Sequence, residues 1–138
     1  MLVSTRGRYA LRAVIDLAEH DAGAAIPLRD VADRQQTSLK YMERIMAELS
    51  RAGLVTGQHG KGGGYRLARA PETISAGEVL RHMEGSLAPV ACLSCDAAPC
   101  DRSGECRTLP MWRELDRRIE EYLDSVTIAA LMRGDVEV

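Results

Sequence analysis

The chain has no phenylalanine, and aromatic residues make up only 4% of its 138 positions. Leucine, valine, isoleucine, methionine and alanine must therefore fill the core of what is, at this length, one ordinary globular domain. No apolar run is long enough to cross a bilayer, and the segment after Met1 lacks the charged and apolar parts of a secretory leader. We therefore predict a cytoplasmic protein with no membrane partner.

The signatures of common enzymes are also missing. His20, His59 and His82 are scattered, and no paired-carboxylate or Ser/His/Asp arrangement accompanies them. The pair Cys92 and Cys95 has the spacing of a thiol oxidoreductase, but the strand and helix that such a motif requires are not predicted around it. We therefore predict that the protein is not an enzyme.

All four cysteines lie close together, separated by two, four and five residues. Thiolates clustered on a polar loop with Pro and Gly suit a soft metal centre, either an iron–sulfur cluster or zinc. The alternative is that the cysteines are small core residues or disulfide partners, and a reducing compartment disfavours the disulfides. Regular periodicity disappears over residues 84–107; a loop of this length needs a reason, and an ordering ligand is a good one. The predicted ligands are Cys92, Cys95, Cys100 and Cys106.

The N-terminal half is basic and has the pattern of a DNA-binding unit. Residues 1–70 hold 11 Lys or Arg against 7 Asp or Glu, whereas residues 71–138 hold 7 against 13. A basic half favours a polyanionic partner. Apolar periodicity predicts helices over residues 5–20, 28–35 and 39–51. The second and third, joined by a tight turn, indicate a helix-turn-helix, although two short helices of a bundle would look similar.

Two short strands are predicted next, over residues 54–58 and 64–68, and a glycine-rich tip joins them. Three helices followed by a hairpin are typical of a winged helix; a flexible hairpin without a role is the alternative. A capped helix begins near Ser75. After the cysteine loop, a long helix has an apolar stripe that suits dimerisation, because helix-turn-helix proteins usually read paired half-sites; packing on its own core is the alternative. The stripe contains Trp112, Leu115, Ile119 and Leu123.

The predicted fold is therefore mainly α with a small β-hairpin wing, a winged helix-turn-helix plus a long dimerisation helix. We divide it into a DNA-binding domain at residues 1–83, a cysteine-rich loop at residues 84–107, and a dimerisation helix with a C-terminal segment at residues 108–138.

Six motifs together resemble the IscR/NsrR-type family of bacterial winged-helix repressors and activators, which includes the iron–sulfur cluster regulator IscR and the nitric-oxide-sensitive NsrR. They are Thr-Arg-Gly-Arg-Tyr-Ala at 5–10, Ser-Leu-Lys-Tyr-Met-Glu at 38–43, Gly-Leu-Val at 53–55, Gly-Lys-Gly-Gly-Gly-Tyr at 60–65, Ser-Ala-Gly-Glu-Val at 75–79 and Leu-Pro-Met-Trp at 109–112. The resemblance implies a homodimer with two winged-helix heads, a long crossed dimer helix, a cluster loop near the interface, and a pseudo-palindromic double-stranded DNA operator.

The resemblance also bears on cluster ligation. The family's three-cysteine pattern looks like Cys92, Cys100 and Cys106. IscR-like members have a histidine three residues after the last cysteine, where this chain has Leu109, and NsrR-like members can use an aspartate early in the first helix, a region where this chain has Arg8.

The additional Cys95 is the simplest fourth ligand; otherwise Asp96, Glu105, a residue of the partner subunit or a small molecule completes the site. We expect a 2Fe–2S cluster first and a 4Fe–4S cluster second, with zinc as the alternative.

Residues at the start of the recognition helix and in the wing are the candidate DNA contacts. Glu43 lies among them and could repel phosphates or accept a hydrogen bond from cytosine. We predict a DNA-binding transcription regulator controlled by an iron–sulfur cluster; the alternative is a winged-helix regulator with a structural zinc or a metal-free, redox-active cysteine loop. The candidate DNA-binding residues are Arg8, Ser38, Lys40, Tyr41, Arg44, His59 and Lys61.

Overall fold

Three helices, a hairpin and three further helices follow one another along the chain. The computed structural model describes residues 3–94, 98, 100–102 and 104–136. The helices are α1 (Thr5–Glu19), α2 (Leu28–Arg34), α3 (Leu39–Arg51), α4 (Ala76–Glu84), α5 (Leu109–Ser125) and α6 (Ile128–Arg133), and the strands are β1 (Val55–Gln58) and β2 (Gly64–Leu67). Single 3-10 turns lie at Pro71–Thr73 and Ala91–Leu93. The predicted winged-helix order is confirmed.

Hydroxyl side chains begin most of these helices. Ser38 accepts a hydrogen bond from the backbone N–H of Tyr41 at 3.1 Å, and Ser75 accepts one from Glu78 at 3.0 Å. Ser4 begins α1 in the same way. Each cap satisfies an N–H group that the first helical turn leaves without a partner, so these serines set where the helices start.

The core is aliphatic, as a chain without phenylalanine requires. One face of α3 is fully buried, and it packs against the inner face of α1 and against Val31 of α2. Burying such side chains stabilises the fold by roughly 1.5–3 kcal/mol each. The buried α3 residues are those that the periodicity predicted: Met42, Ile45, Met46 and Leu49.

The wing is an antiparallel hairpin that is joined to the segment before α2. Val55 pairs with Leu67 and Gln58 with Gly64. Tyr65 also exchanges two backbone hydrogen bonds with Ile26, each 2.9 Å long. Gly64 has a φ of 151°, and a side chain there would collide with the carbonyl of Ile26. Glycine is therefore required for the wing to lie against the head.

The last helix returns to the core of the first domain. Ile128 and Ala129 of α6 are 0% exposed and pack against α1. The backbone N–H of Ile128 donates to Ile74 at 2.8 Å. The predicted division places this helix in the C-terminal segment after the dimerisation helix; its contacts are with α1 and with the 3-10 turn before α4. A six-residue amphipathic helix buries its apolar face wherever the chain path brings it, which periodicity alone does not reveal.

Helix α5 packs against α4 but leaves much of its apolar surface open. Leu109 is its buried residue. Arg81 of α4 donates to Glu120 at 2.5 Å and to Asp124 at 2.7 Å, so α5 is joined to α4 along its C-terminal half. In the part of the chain that the structure describes, no helix is long and apolar enough to cross a membrane.

Candidate nucleic-acid interface and cysteine loop

The outer face of α3 presents two of the predicted DNA contacts to solvent. Lys40 and Arg44 are exposed. Ser38 is exposed too, but its hydroxyl oxygen already accepts the helix-capping hydrogen bond. These positions place basic side chains and a helix N-terminus on one open surface, which is the arrangement that a recognition helix needs.

Tyr41, another of the predicted DNA contacts, is less exposed than Lys40 and Arg44. It is half-buried, and its ring packs edge-to-face against Tyr9 of α1, with centroids 5.9 Å apart. An aromatic ring has a large apolar body, and covering the core beside α1 removes that body from water. Tyr41 therefore both packs on the core and lies beside the candidate reading surface.

The arginines at the start of α1 have different environments. Arg6 donates to the carbonyl of Met83 at 2.7 Å, and Arg12 donates to Gln35 at 2.8 Å while lying 4.7 Å from the centre of the Tyr9 ring. Arg8 is exposed and donates to the hydroxyl of Thr5. Neighbouring protein groups thus hold Arg6 and Arg12, and Arg8 stays the candidate phosphate contact of this helix.

The tip of the wing is exposed and built on glycine. Gly60 and Gly62 have φ values of 88° and 78°, which favour glycine. Lys61 lies between these two glycines and His59 precedes them, and both side chains are exposed. Their placement on a projecting tip is the one predicted; their contact with DNA stays a prediction.

A buried aspartate beneath the α2–α3 turn was missed at the sequence level. Asp16 of α1 is 2% exposed. Arg34 donates to it from Nε at 2.9 Å and from Nη2 at 2.6 Å, and the amide of Gln35 donates at 2.9 Å. An acid three residues after Ala13, on an otherwise apolar face, is the signal that could have revealed it.

The charge of Asp16 is maintained by its partners. Burial by itself raises the pKa of this carboxyl, but hydrogen bonds from Arg34 and Gln35, together with the charges of Arg34 and His20, outweigh it and lower the pKa below its ordinary value. The carboxylate is therefore ionised at neutral pH and holds the end of α2 by a two-point ion pair.

The cysteine loop leaves α4 at Gly85 and reaches α5 at Leu109. Cys92 and Cys100 are exposed, Cys106 is half-buried, and none of these three is in a disulfide; Cys95 and Asp96 lie outside the described residues. Within the described ranges, no three His, Cys, Asp or Glu side chains come close enough to hold a metal ion. The described loop would therefore have to draw together to form the predicted site.

Cys106 lies immediately before α5 in an environment that favours its thiolate. Its Sγ lies 3.3 Å from the hydroxyl of Thr108. That contact, followed by the backbone N–H groups of Thr108 and Leu109 and the charge of Arg102, lowers the pKa of the thiol. A thiolate is the form that binds metal. Accessible, unpaired thiols of this kind fit the donor chemistry of a soft metal centre.

The open surface of α5 includes two residues that the predicted dimer interface left out. Leu115 is 39% exposed, whereas Trp112, Ile119 and Leu123 are half-buried in the single chain. Met111 and Tyr122 are 54% and 52% exposed. Spacings of four and seven residues place both on one stripe with Leu115, and this stripe was the available sequence signal.

Comparisons with known proteins show what this arrangement resembles. A family model described as Rrf2, an iron-dependent transcriptional regulator, matches residues 3–134. The HTH-type transcriptional regulator IscR of Vibrio vulnificus is 38% identical over 144 residues, covering 100% of this chain and 80% of that protein.

Two solved structures have the same fold over nearly the whole chain. CymR, the global cysteine regulator of B. subtilis, matches with a TM-score of 0.79 and 33% identity, covering 97% of this chain and 98% of that one. T. potens IscR matches with a TM-score of 0.77 and 36% identity, covering 99% and 89%. These relatives are transcription regulators rather than enzymes, and the chain belongs to the Rrf2 family of DNA-binding transcriptional regulators.

Proposed function

We propose that the protein is a cytoplasmic, homodimeric regulator whose operator binding is controlled by an iron–sulfur cluster held in the loop of residues 84–107. The observation that carries the proposal is the position of the loop. Its free thiols lie between α4, which packs in the head, and α5, whose apolar surface is open. A ligand that orders this loop would act on both the head and the dimer helix.

The reading surface is composed of α3 and the wing. Lys40 and Arg44 project from α3, and His59 and Lys61 lie at the wing tip. A helix in the major groove recognises bases, and a basic wing along the DNA backbone binds phosphates. Paired heads would then read a pseudo-palindromic double-stranded operator. Arg8 and Ser38 are proposed as additional backbone contacts, and Tyr41 as a contact beside Arg44.

An Arg44→Ala variant is expected to weaken operator binding by about 1–3 kcal/mol while leaving binding to random duplex almost unchanged, because a base contact carries sequence information. Tyr41→Ala is expected to weaken operator binding by a similar amount.

Lys61→Ala is expected to weaken binding to every sequence and to reduce the salt slope by about one unit, because a phosphate contact carries no sequence information. Fluorescence anisotropy at several salt concentrations measures the affinities for operator and random duplex and their salt slopes.

The control for these variants is Arg51→Ala, which removes an exposed arginine at the other end of α3. It should leave the ratio of operator to random affinity unchanged. Equal losses of both affinities in Arg44→Ala would contradict a reading role for Arg44.

The proposed ligands are Cys92, Cys95, Cys100 and Cys106, with a 2Fe–2S cluster as first candidate, 4Fe–4S as second and zinc as the alternative. When bound, an iron–sulfur cluster supplies a centre that can be oxidised, reduced or lost. The protein's part is to provide thiolates, and Thr108 already favours that form at Cys106.

The start of the loop is joined to the DNA-binding head by a direct contact. Glu84, the last residue of α4, accepts hydrogen bonds from the backbone N–H of Ser4 at 3.0 Å and from its hydroxyl at 2.6 Å. Arg6 donates to the carbonyl of Met83. A change in the loop at residue 85 would therefore act on the start of α1, the helix that packs against α3. This contact supports control of DNA binding by the loop.

The experiment that tests the proposal is anaerobic purification followed by absorption and Mössbauer spectroscopy and by DNA titration before and after removal of the metal. We expect a coloured protein with cluster absorption and a change in operator affinity on cluster loss. A colourless protein that contains zinc, with the same operator affinity after chelation, would contradict cluster control and favour the structural-zinc alternative.

A further inference from the structure

The turn that leads into the recognition helix is strained. Gln36 adopts a φ of 55°, the only non-glycine residue with positive φ in the described part of the chain. The N–H of Thr37 donates to Ala32 at 3.0 Å and that of Gln36 donates to Asp33 at 3.2 Å. This is the hydrogen-bond pattern of a Schellman motif, in which glycine usually occupies the left-handed position. A side chain there has a conformational cost, so the surrounding structure must hold the turn.

Helix α1 holds the turn through Gln35 from two directions. The amide nitrogen of Gln35 donates to Asp16 at 2.9 Å, and its amide oxygen accepts from Arg12 at 2.8 Å. Arg34, one residue earlier, is bound to both oxygens of Asp16. Ser38 then begins α3 three residues after Gln35. The buried carboxylate thus acts on the last residues before the recognition helix.

We propose that Asp16 is the positioning residue of the recognition helix: its carboxylate, through Arg34 and Gln35, sets the orientation of α3 relative to α1 and so determines how specifically the protein reads its operator. This inference rests on the proposed reading role of α3. Asp16 is buried and does not reach a nucleic acid on the surface. Its effect is therefore on base recognition and not on phosphate attraction.

The main test is Asp16→Asn, which keeps the shape of the side chain and removes its charge. The amide can accept from Arg34 at one oxygen only, so the two-point ion pair is lost. We expect operator affinity to fall about tenfold, the equivalent of one lost base contact, with random-duplex affinity and its salt slope unchanged. Anisotropy titrations at a temperature where far-UV circular dichroism shows a folded protein measure both quantities.

The matched control is Glu78→Gln. Arg69 binds both oxygens of Glu78, at 2.8 and 2.5 Å, in the same head but away from the α2–α3 turn. This variant removes a two-point ion pair of the same geometry that is more exposed to solvent, and we expect the operator-to-random ratio to stay as in the parent protein. An equal fall of the ratio in Glu78→Gln would show that loss of any such pair loosens the head, and would overturn the assignment to Asp16.

A second variant covers the case in which Asp16→Asn does not fold. Gln35→Ala removes the side-chain hydrogen bonds of Gln35 to Arg12 and Asp16. It leaves the backbone carbonyl that Arg12 also contacts and the pair of Asp16 with Arg34, and the same loss of operator preference is expected. An unchanged ratio in a folded Asp16→Asn or Gln35→Ala variant overturns the proposal. So does a steeper salt slope in Asp16→Asn, which would mean that the released Arg34 binds phosphate.

Arg44→Ala, measured in the same titration, distinguishes a failure of the positioning role of Asp16 from a failure of the reading role of α3. If Arg44→Ala lowers the operator-to-random ratio and the Asp16 and Gln35 variants do not, α3 reads DNA without help from Asp16. If Arg44→Ala also leaves the ratio unchanged, the reading role of α3 itself is wrong.

Discussion

A Leu115→Glu variant is expected to be monomeric and to bind the operator about 100-fold or more weakly. Two linked heads gain this much over one head, since the second contact becomes intramolecular. Leu115 is already 39% exposed in the single chain, so a carboxylate there costs one subunit little. Buried between two subunits it would be an unpaired charge, which strongly disfavours association. Sedimentation and operator titration measure the two effects.

Ile119→Glu should give the same result, and Arg113→Glu is the control. Arg113 is exposed on the same helix, outside the apolar stripe. The Arg113→Glu variant should remain dimeric, although it makes the helix more negative by two charge units where Leu115→Glu makes it more negative by one. Dimers of Leu115→Glu at micromolar concentration would place the interface elsewhere, and the stripe of Met111, Leu115 and Tyr122 would then need another partner.

Replacing any one true cluster ligand by alanine is expected to remove most of the bound iron. Cys92, Cys100 and Cys106 are the ligands that the family resemblance implies, and we expect each alanine variant to lose cluster absorption when it is purified without oxygen. Cys95→Ala decides the fourth ligand. We expect it to lose iron, or to shift the spectrum, as much as Cys92→Ala does, because an incomplete thiolate set leaves one iron without its anionic ligand.

The control in the same loop is Ser94→Ala, which should keep the full complement of iron. Full iron and an unchanged spectrum in Cys95→Ala, with losses in the other three cysteine variants, would show that Cys95 is not a ligand. Asp96, Glu105, a partner residue or a small molecule would then complete the site.

The sequence was sufficient for the elements of the head. The spacing of Met42, Ile45, Met46 and Leu49 predicted the buried face of α3, and all four are fully buried. Ser38 and Ser75 marked helix starts, because a serine hydroxyl satisfies an N–H of the first turn and this interaction is local. Glycines at 60 and 62 marked the wing tip for the same reason: a positive φ is a property of a single residue. The metal centre also rests on spacing alone, four cysteines in one loop, and it stays a prediction.

Contacts between distant parts of the chain were decided only by the tertiary structure. Asp16 and Arg34 are 18 positions apart, and no pattern along either helix pairs them. The turning of Tyr41 towards Tyr9 and the return of α6 to the core are of the same kind. Local propensity and periodicity report how a segment prefers to fold and which face is apolar. Which apolar face meets which, and which buried charge meets its counter-ion, depends on the packing of the whole domain, because those free energies arise only when water is excluded between the elements.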